Sequence, residues 1–359
     1  MIVGIVTIVL FNPTFCDLSG QERDASNGVE SRRQVILLTG FQPFGPDKSA
    51  NPSWEGIKAL DGVKWKEFEL VAKEMPAVWG APLESLSKWI AEYRPVAVLS
   101  FGQGGADGFR VETVANNRRG RALDNNGSQP TSPDIIAKGP SRLPATIDAN
   151  RLARALTSAG FPTRVSKEAG KYLCEETLYT LEYLRQNSKD DLSVMFCHVP
   201  PIGTMVGSNQ VDGLYVQKFV TRVLEEWRSI ATESKADLAA AEAHIRKYFK
   251  VWSDQDMQGY GNCFSRHASI HSIDAGGNMS LSSLKPFVEG QTRAHKSSLS
   301  KMVEVPEEIV MRSEGRLVRA IVRWKLTADN RITTGYDHFT LGKEGGQWKI
   351  INLVFYESE

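Results

Sequence analysis

Hydrophobic positions along the chain follow two different grammars. Residues 34–40, 95–102 and 193–198 are short, nearly continuous apolar runs, the pattern of strands covered on both faces of a sheet. Between them, apolar residues recur at helical spacing. Leu83, Leu86 and Ile90 mark a helix over 82–93; Leu152, Ala155 and Leu156 another over 149–159; Val216, Val220, Val223 and Trp227 a third over 211–230. A further helix is predicted to start at Cys174, with Leu178 and Leu181 on its face. Strands alternating with helices predict an α/β layer fold over residues 33–231.

Residues 232–237 are polar and read as a linker, and the grammar changes after them. Ala241, Ile245, Tyr248 and Phe249 share one face of a helix over 238–252, and 283–295 reads as a second helix. A short strand is predicted near 268–273, and three long alternating strands over 317–326, 332–342 and 347–356. Helices followed by a meander predict an α+β domain over 238–359 with a strongly curved antiparallel sheet. The remaining segment, 1–32, opens on an apolar run of about 10 residues, too short to span a bilayer but long enough for the core of an export signal. No Lys or Arg precedes that run and no clean small-residue cleavage site follows. The expectation is a signal peptide with a polar leader and an exported protein, periplasmic or secreted, the alternative being a cytoplasmic one; no stable membrane span is expected.

Composition narrows the chemistry. With 359 residues, about 150 per domain gives roughly two domains. Hydrophobic residues at 41% and charged residues at 24% exclude disorder over most of the chain. The 43 basic and 42 acidic residues leave a net charge of +1, so no global field attracts nucleic acid and none is expected as a partner. Four scattered cysteines, Cys16, Cys174, Cys197 and Cys263, form no CxxC pair, which argues against a disulfide framework or a structural zinc site. No metal or cofactor is expected. The question becomes which single thiol is reactive.

Cys174 sits at a predicted helix start, where free N–H groups and the helix dipole favour a thiolate. A buried core cysteine is the commoner fate of a lone Cys. His198 leaves an apolar strand just before Pro200 and Pro201, and is either a satisfied structural histidine or a general base for Cys174. Glu112 lies amid Val and Ala; a buried acid there needs a partner and could orient an imidazole.

These three residues recur with a particular set of neighbours. LTGFQPFG at 38–45, NPSWE at 51–55, DNNGSQP at 124–130, AGKYLC at 169–174 and HVP at 198–200 follow one another in order. Over about residues 34–225 the chain resembles the pyroglutamyl peptidase I family of cysteine peptidases. The resemblance implies an α/β/α sandwich of the phosphorylase/hydrolase-like type and removal of N-terminal pyroglutamyl residues from peptides. It assigns Cys174 as nucleophile, His198 as base and Glu112, within ETVANN at 112–117, as the acid of the triad. Phe41, Phe44, Tyr172 and Leu173 match wall positions of the substrate pocket, Gln103 a position that hydrogen-bonds the lactam, and Arg121 an arginine near the oxyanion. Such a pocket rejects proline, which has no lactam carbonyl to satisfy its polar groups. The loops 102–112 and 117–121 each look one residue shorter than the common bacterial pattern, and Gly105-Ala-Asp107 stands where the family has Gly-Gly-Arg. Both loops border the site and bear on substrate range.

Residues 233–358 resemble the nuclear-transport-factor-2-like, or SnoaL-like, superfamily through YFKVW at 248–252, DMQGY at 256–260, TGYDHFT at 334–340 and WKIINLV at 348–354. That resemblance implies a cone-shaped sheet around a pocket. His267, His271, Asp337 and His338 could line it, although polar side chains on the outer face of strands are the commoner explanation. Ligand binding or dimerisation, and hence a homo-oligomer, is expected of this domain more than catalysis. The functional expectation is an exported pyroglutamyl peptidase. The alternatives are a non-catalytic binder of pyroglutamyl peptides or cell-wall fragments, and a cysteine amidase acting on another lactam.

Overall fold

A computed structural model describes residues 34–45, 48–188, 191–314 and 316–358. The expectations for residues 1–32, including the export signal and Cys16, lie outside the described residues.

The first sheet has seven strands in the order Lys64–Trp65, Phe68–Met75, Gln34–Phe41, Ala97–Gln103, Ser193–Val199, Phe109–Glu112, Thr163–Ser166. Its central strands are parallel, and Phe109–Glu112 runs antiparallel to Ser193–Val199. Because strand side chains alternate, each central strand supplies two cores. Ile36, Leu38, Leu99, Phe101, Met195 and Cys197 meet the helices Ala149–Ser158 and Gly213–Ser253 on one face. Leu37, Val98, Val194 and Phe196 meet Ala81–Tyr93 and Leu173–Asn187 on the other. The result is three layers, α/β/α. Ile36, Leu37, Leu38 and Leu99 have no exposed surface, and burying each such side chain contributes about 1.5–3 kcal/mol. The same alternation sends His198 to the face of the Leu173–Asn187 helix and its neighbour Cys197 to the opposite face.

The second sheet has six strands in the order Met279–Ser283, Phe264–Ile273, Gln347–Glu357, Arg331–Glu344, Leu317–Ala328, Val303–Glu314. All its pairings are antiparallel except that of Phe264–Ile273 with Gln347–Glu357. One of its faces packs on the second half of Gly213–Ser253 and on the helices Met257–Asn262 and Leu284–Ser297. Tyr248, Phe249, Tyr260, Phe264 and Phe339 fill the interior with touching rings. This half is β-rich. Its edge strand Val303–Glu314 escapes the sequence pattern because Glu304, Glu307 and Glu308 interrupt the alternation, and a bulge shifts the register between Pro306 and Glu308.

The polar segment 232–237, read above as a linker, is instead helical. Gly213–Ser253 is one helix of 41 residues, started by the Asp212 carboxylate accepting from the Tyr215 N–H at 2.6 Å. Val216 to Trp227 serve the first core and Ala241 to Trp252 the second. The stretch between them contains no Gly or Pro to stop the helix, and polarity alone does not break one. Arg151 donates to both carboxylate oxygens of Glu233, and Lys343 reaches Asp237 at 2.5 Å.

Candidate active site

Cys174, His198 and Glu112 come from three elements and meet on one face of the first sheet. Cys174 is the second residue of the helix Leu173–Asn187 and is partly exposed. His198 is the penultimate residue of its strand, and Glu112 ends the adjacent antiparallel strand. The His198 ring donates from Nδ1 to Glu112 Oε1 at 2.8 Å, and its other partner is the Cys174 sulfur. Glu112 is fully buried and His198 is 5% exposed. Burial pulls the imidazole pKa down, but the charge and hydrogen bond of Cys174 and those of Glu112 outweigh it and raise it to about 9. An imidazole held between a sulfur and a carboxylate can carry a proton to and from whatever the sulfur attacks.

Two glycines make this contact possible. Gly102 lies beside His198 in the parallel ladder. A Cβ on it would come within 2.8 Å of Cys174 Sγ and of the Phe196 ring, and one on Gly104 within 2.8 Å of His198 Cβ. The glycine run at 102–105 was visible in the sequence, but its role as the floor under both side chains needed the register.

Beside the nucleophile stands a chain of aromatic rings. Phe44 and Tyr172 are 6.2 Å apart, and Tyr172 meets Trp79 edge-on at 5.1 Å. Tyr172 donates to the Leu123 carbonyl at 3.1 Å and Trp79 Nε1 to that of Ala122 at 2.9 Å, so the rings clamp the 122–128 loop. That loop is built around Asp124, whose carboxylate accepts from the N–H groups of Trp79, Asn126 and Ser128. Those bonds outweigh its burial and hold it below the usual carboxylate range. Trp79 had no motif to announce it and was missed in the sequence. Phe41 is buried at the end of its strand, and Gln103 is half-buried at the end of the next one. Leu173 is 1% exposed, with its side chain in the core under the helix. Arg121 is exposed on the loop where Gly120 donates to the Lys171 carbonyl at 2.6 Å.

The nucleophile's helix is also anchored by acids that sequence reading passed over. Glu176 takes two hydrogen bonds from Arg119, at 2.6 and 3.0 Å, and Glu182 accepts the Thr146 N–H at 3.2 Å. Glu175 accepts the Asn116 N–H at 2.6 Å. Two adjacent acids inside a helix otherwise rich in Leu and Tyr were the available signal.

The four polar residues of the second half do not converge. Asp337 is buried and accepts from Trp324 Nε1 at 2.9 Å, whereas His338, next in the strand, faces outward and stacks on Tyr356. His267 is exposed and bonds Arg266, and His271 is half-buried on the outer side of its strand. Among the described residues no group of three or more His, Cys, Asp or Glu is placed to hold a metal ion, and no helix is long and apolar enough to cross a membrane.

Residues 34–227 match the family model described as "Pyroglutamyl peptidase", and 236–356 the one described as "Putative lumazine-binding". The chain is 33% identical over 208 residues to a pyrrolidone-carboxylate peptidase of Cupriavidus necator, covering 57% of this chain and 96% of that one. It is 32% identical over 203 residues to the Pseudomonas fluorescens pyrrolidone-carboxylate peptidase, covering 55% and 94%. The crystal structure of Bacillus amyloliquefaciens pyroglutamyl peptidase I is similar at 28% identity and a TM-score of 0.48, covering 53% of this chain and 94% of that one. Through residues 34–227, more than half its length, the chain belongs to the pyroglutamyl peptidase family.

Proposed function

We propose that the first domain hydrolyses the amide bond between an N-terminal pyroglutamyl residue and the rest of a peptide. The observation that carries this reading is the 2.8 Å bond between His198 and Glu112, made with no exposed surface on Glu112 and with the imidazole's other partner being Cys174. In this reading the Cys174 thiolate attacks the pyroglutamyl carbonyl, and His198 gives its proton to the departing amine. A thioester remains. His198 then takes a proton from water, which attacks the thioester and releases pyroglutamate. Glu112 holds the imidazole in orientation and offsets its positive charge. Arg121 supports the oxyanion, Gln103 binds the lactam, and Phe41, Phe44, Tyr172 and Leu173 shape the pocket, with Trp79 backing Tyr172. The substrate ring is uncharged, which suits a protein with a net charge of +1.

For the second domain, the nuclear-transport-factor-2-like reading is supported by three helices, two before the first strand and one between the second and third, that pack on one face of a six-stranded sheet. A small ligand or a second copy of the chain is its proposed partner. The interior is filled by aromatic rings, so a small ligand has the groove of about 330 Å³ between the long helix and the edge strand, lined by Phe249, Ser253 and Glu304. Export by the N-terminal segment remains part of the proposal.

The test is turnover of a pyroglutamyl anilide reporter by the purified full chain under reducing conditions. Cys174→Ala is expected to lower turnover by about 10⁴-fold or more. An intact reporter with the wild-type chain would sink the reading. Binding without a thioester in intact mass spectrometry would favour a non-catalytic binder instead.

A further inference from the structure

We propose that Glu175 is a positioning residue of this site: it ties the segment after Glu112 to the helix carrying Cys174, and the tie is tight only while Glu175 is ionised. The inference rests on the peptidase reading above.

Glu175 follows Cys174 in the first turn of the helix and is 1% exposed. Its Oε1 accepts the backbone N–H of Asn116 at 2.6 Å, a length typical of bonds to a charged acceptor. The Asn116 side-chain amide lies 3.5 and 3.4 Å from its two oxygens. Asn116 ends the short strand Val114–Asn116, four residues beyond Glu112. Glu112 spends one oxygen on His198, while its other oxygen is buried with no partner among the described residues. The carboxylate therefore does not anchor itself. Its backbone does: the strand ladders hold it up to Glu112, Thr113 N–H and Oγ1 both donate to the Ser166 carbonyl at 2.8 and 2.7 Å, and the Asn116–Glu175 bond ties the segment beyond them. That bond joins the acid's segment directly to the nucleophile's helix.

The surroundings make the tie responsive to pH. Burial, with the negative charges of Glu112 and Glu168, raises Glu175 to about 7, against the opposing bonds from Asn116. The other charged groups nearby each have a partner other than Glu175. Glu176 is held by Arg119, Arg142 reaches Asn116 Oδ1 at 3.4 Å, and Cys174 and His198 hold each other. A neutral carboxyl accepts an N–H more weakly than a carboxylate does, by roughly a factor of two in strength. Protonation thus loosens the spacing of the three reacting groups.

The experiment measures kcat and KM on the pyroglutamyl anilide reporter from about pH 5.5 to about pH 9, for the wild-type chain and Glu175→Gln. The wild type is expected to gain kcat through an inflection near pH 7. Glu175→Gln should lack that inflection and stay about 10-fold or more below the wild type at about pH 8, with KM changed by less than about twofold. Asn116→Ala, which keeps the backbone N–H, should retain the inflection. In case Glu175→Gln does not fold, the Asn116 amide resonance of the wild type is followed by NMR, and it should titrate with the kcat midpoint. An inflection surviving in Glu175→Gln, or a pH-independent Asn116 amide, overturns the proposal. A wild type without turnover at any pH overturns the peptidase reading itself.

Discussion

His198 Nδ1 lies 2.8 Å from Glu112 Oε1, and the pair is sealed from solvent with His198 only 5% exposed. A carboxylate buried this completely is costly unless the group it faces is cationic or donates to it. Glu112→Gln keeps the shape but removes the charge and lets an amide N–H face the ring. We expect kcat to fall by about 10²- to 10⁴-fold with little change in KM. Steady-state kinetics check this, and a fall confined to KM would contradict it.

The raised imidazole pKa sets a second expectation. With the folded value at about 9 and the ordinary value near 6.5, the imidazolium contributes stability that is complete below about pH 6.5. That contribution is lost as pH rises through about 9. Turnover should decline over the same upper range, because the proton for the leaving amine is no longer there. Cys174→Ala removes the partner sulfur, so the His198 midpoint should move down. NMR titration of the His198 ring reads both values, and an unmoved midpoint in Cys174→Ala would argue against the sulfur's part in it.

Gly102→Ala tests the floor of the site. The added methyl meets Cys174 Sγ and the Phe196 ring at 2.8 Å, closer than carbon and sulfur tolerate. Either the thiol or the ring must move. The expected result is a kcat loss of about 10²-fold, as misplacement by about 1 Å can produce. Gly104→Ala should act in the same way through His198. Normal kcat in both variants would show that the glycines are not needed for spacing.

Part of this was legible from residue order and part was not. The central strands announced themselves because both faces are covered, so Gln34–Phe41, Ala97–Gln103 and Ser193–Val199 are nearly continuous apolar runs. Phe109–Glu112 and Thr163–Ser166 stand toward the edge, are short and carry Arg110, Glu112 and Arg164, so no run marked them. Cys174, His198 and Glu112 stood out as candidates in apolar surroundings, but each had a commoner structural explanation, and their roles came from the family blocks around them. Glu175 and Trp79 did not stand out, because what they do depends on partners 59 and 43–45 positions away in the chain. The long helix was split in two because a polar stretch between two apolar faces looks the same whether it is a linker or solvent-exposed helix.

That helix brings Tyr248 to Asp337, and the interior acid gives the second domain a pH signature. Burial raises Asp337 to about 7, although Trp324 and Tyr248 donate to it, and Glu304, close enough to interact with it, is raised well above the usual carboxylate range. A carboxyl with a raised folded pKa contributes stability that is complete below its unfolded value, near 3.8, and is lost as pH rises through about 7. The second domain should therefore melt at progressively lower temperature between about pH 4.5 and about pH 8. Asp337→Asn keeps an acceptor for Trp324 but cannot ionise. It should be less stable than the wild type at the acid end and equal or more stable at the alkaline end, with a flatter profile between. Calorimetry of the full chain across that range checks the sign. A wild-type profile that is flat, or that steepens in Asp337→Asn, would mean that the proton on this buried acid does not hold the domain together.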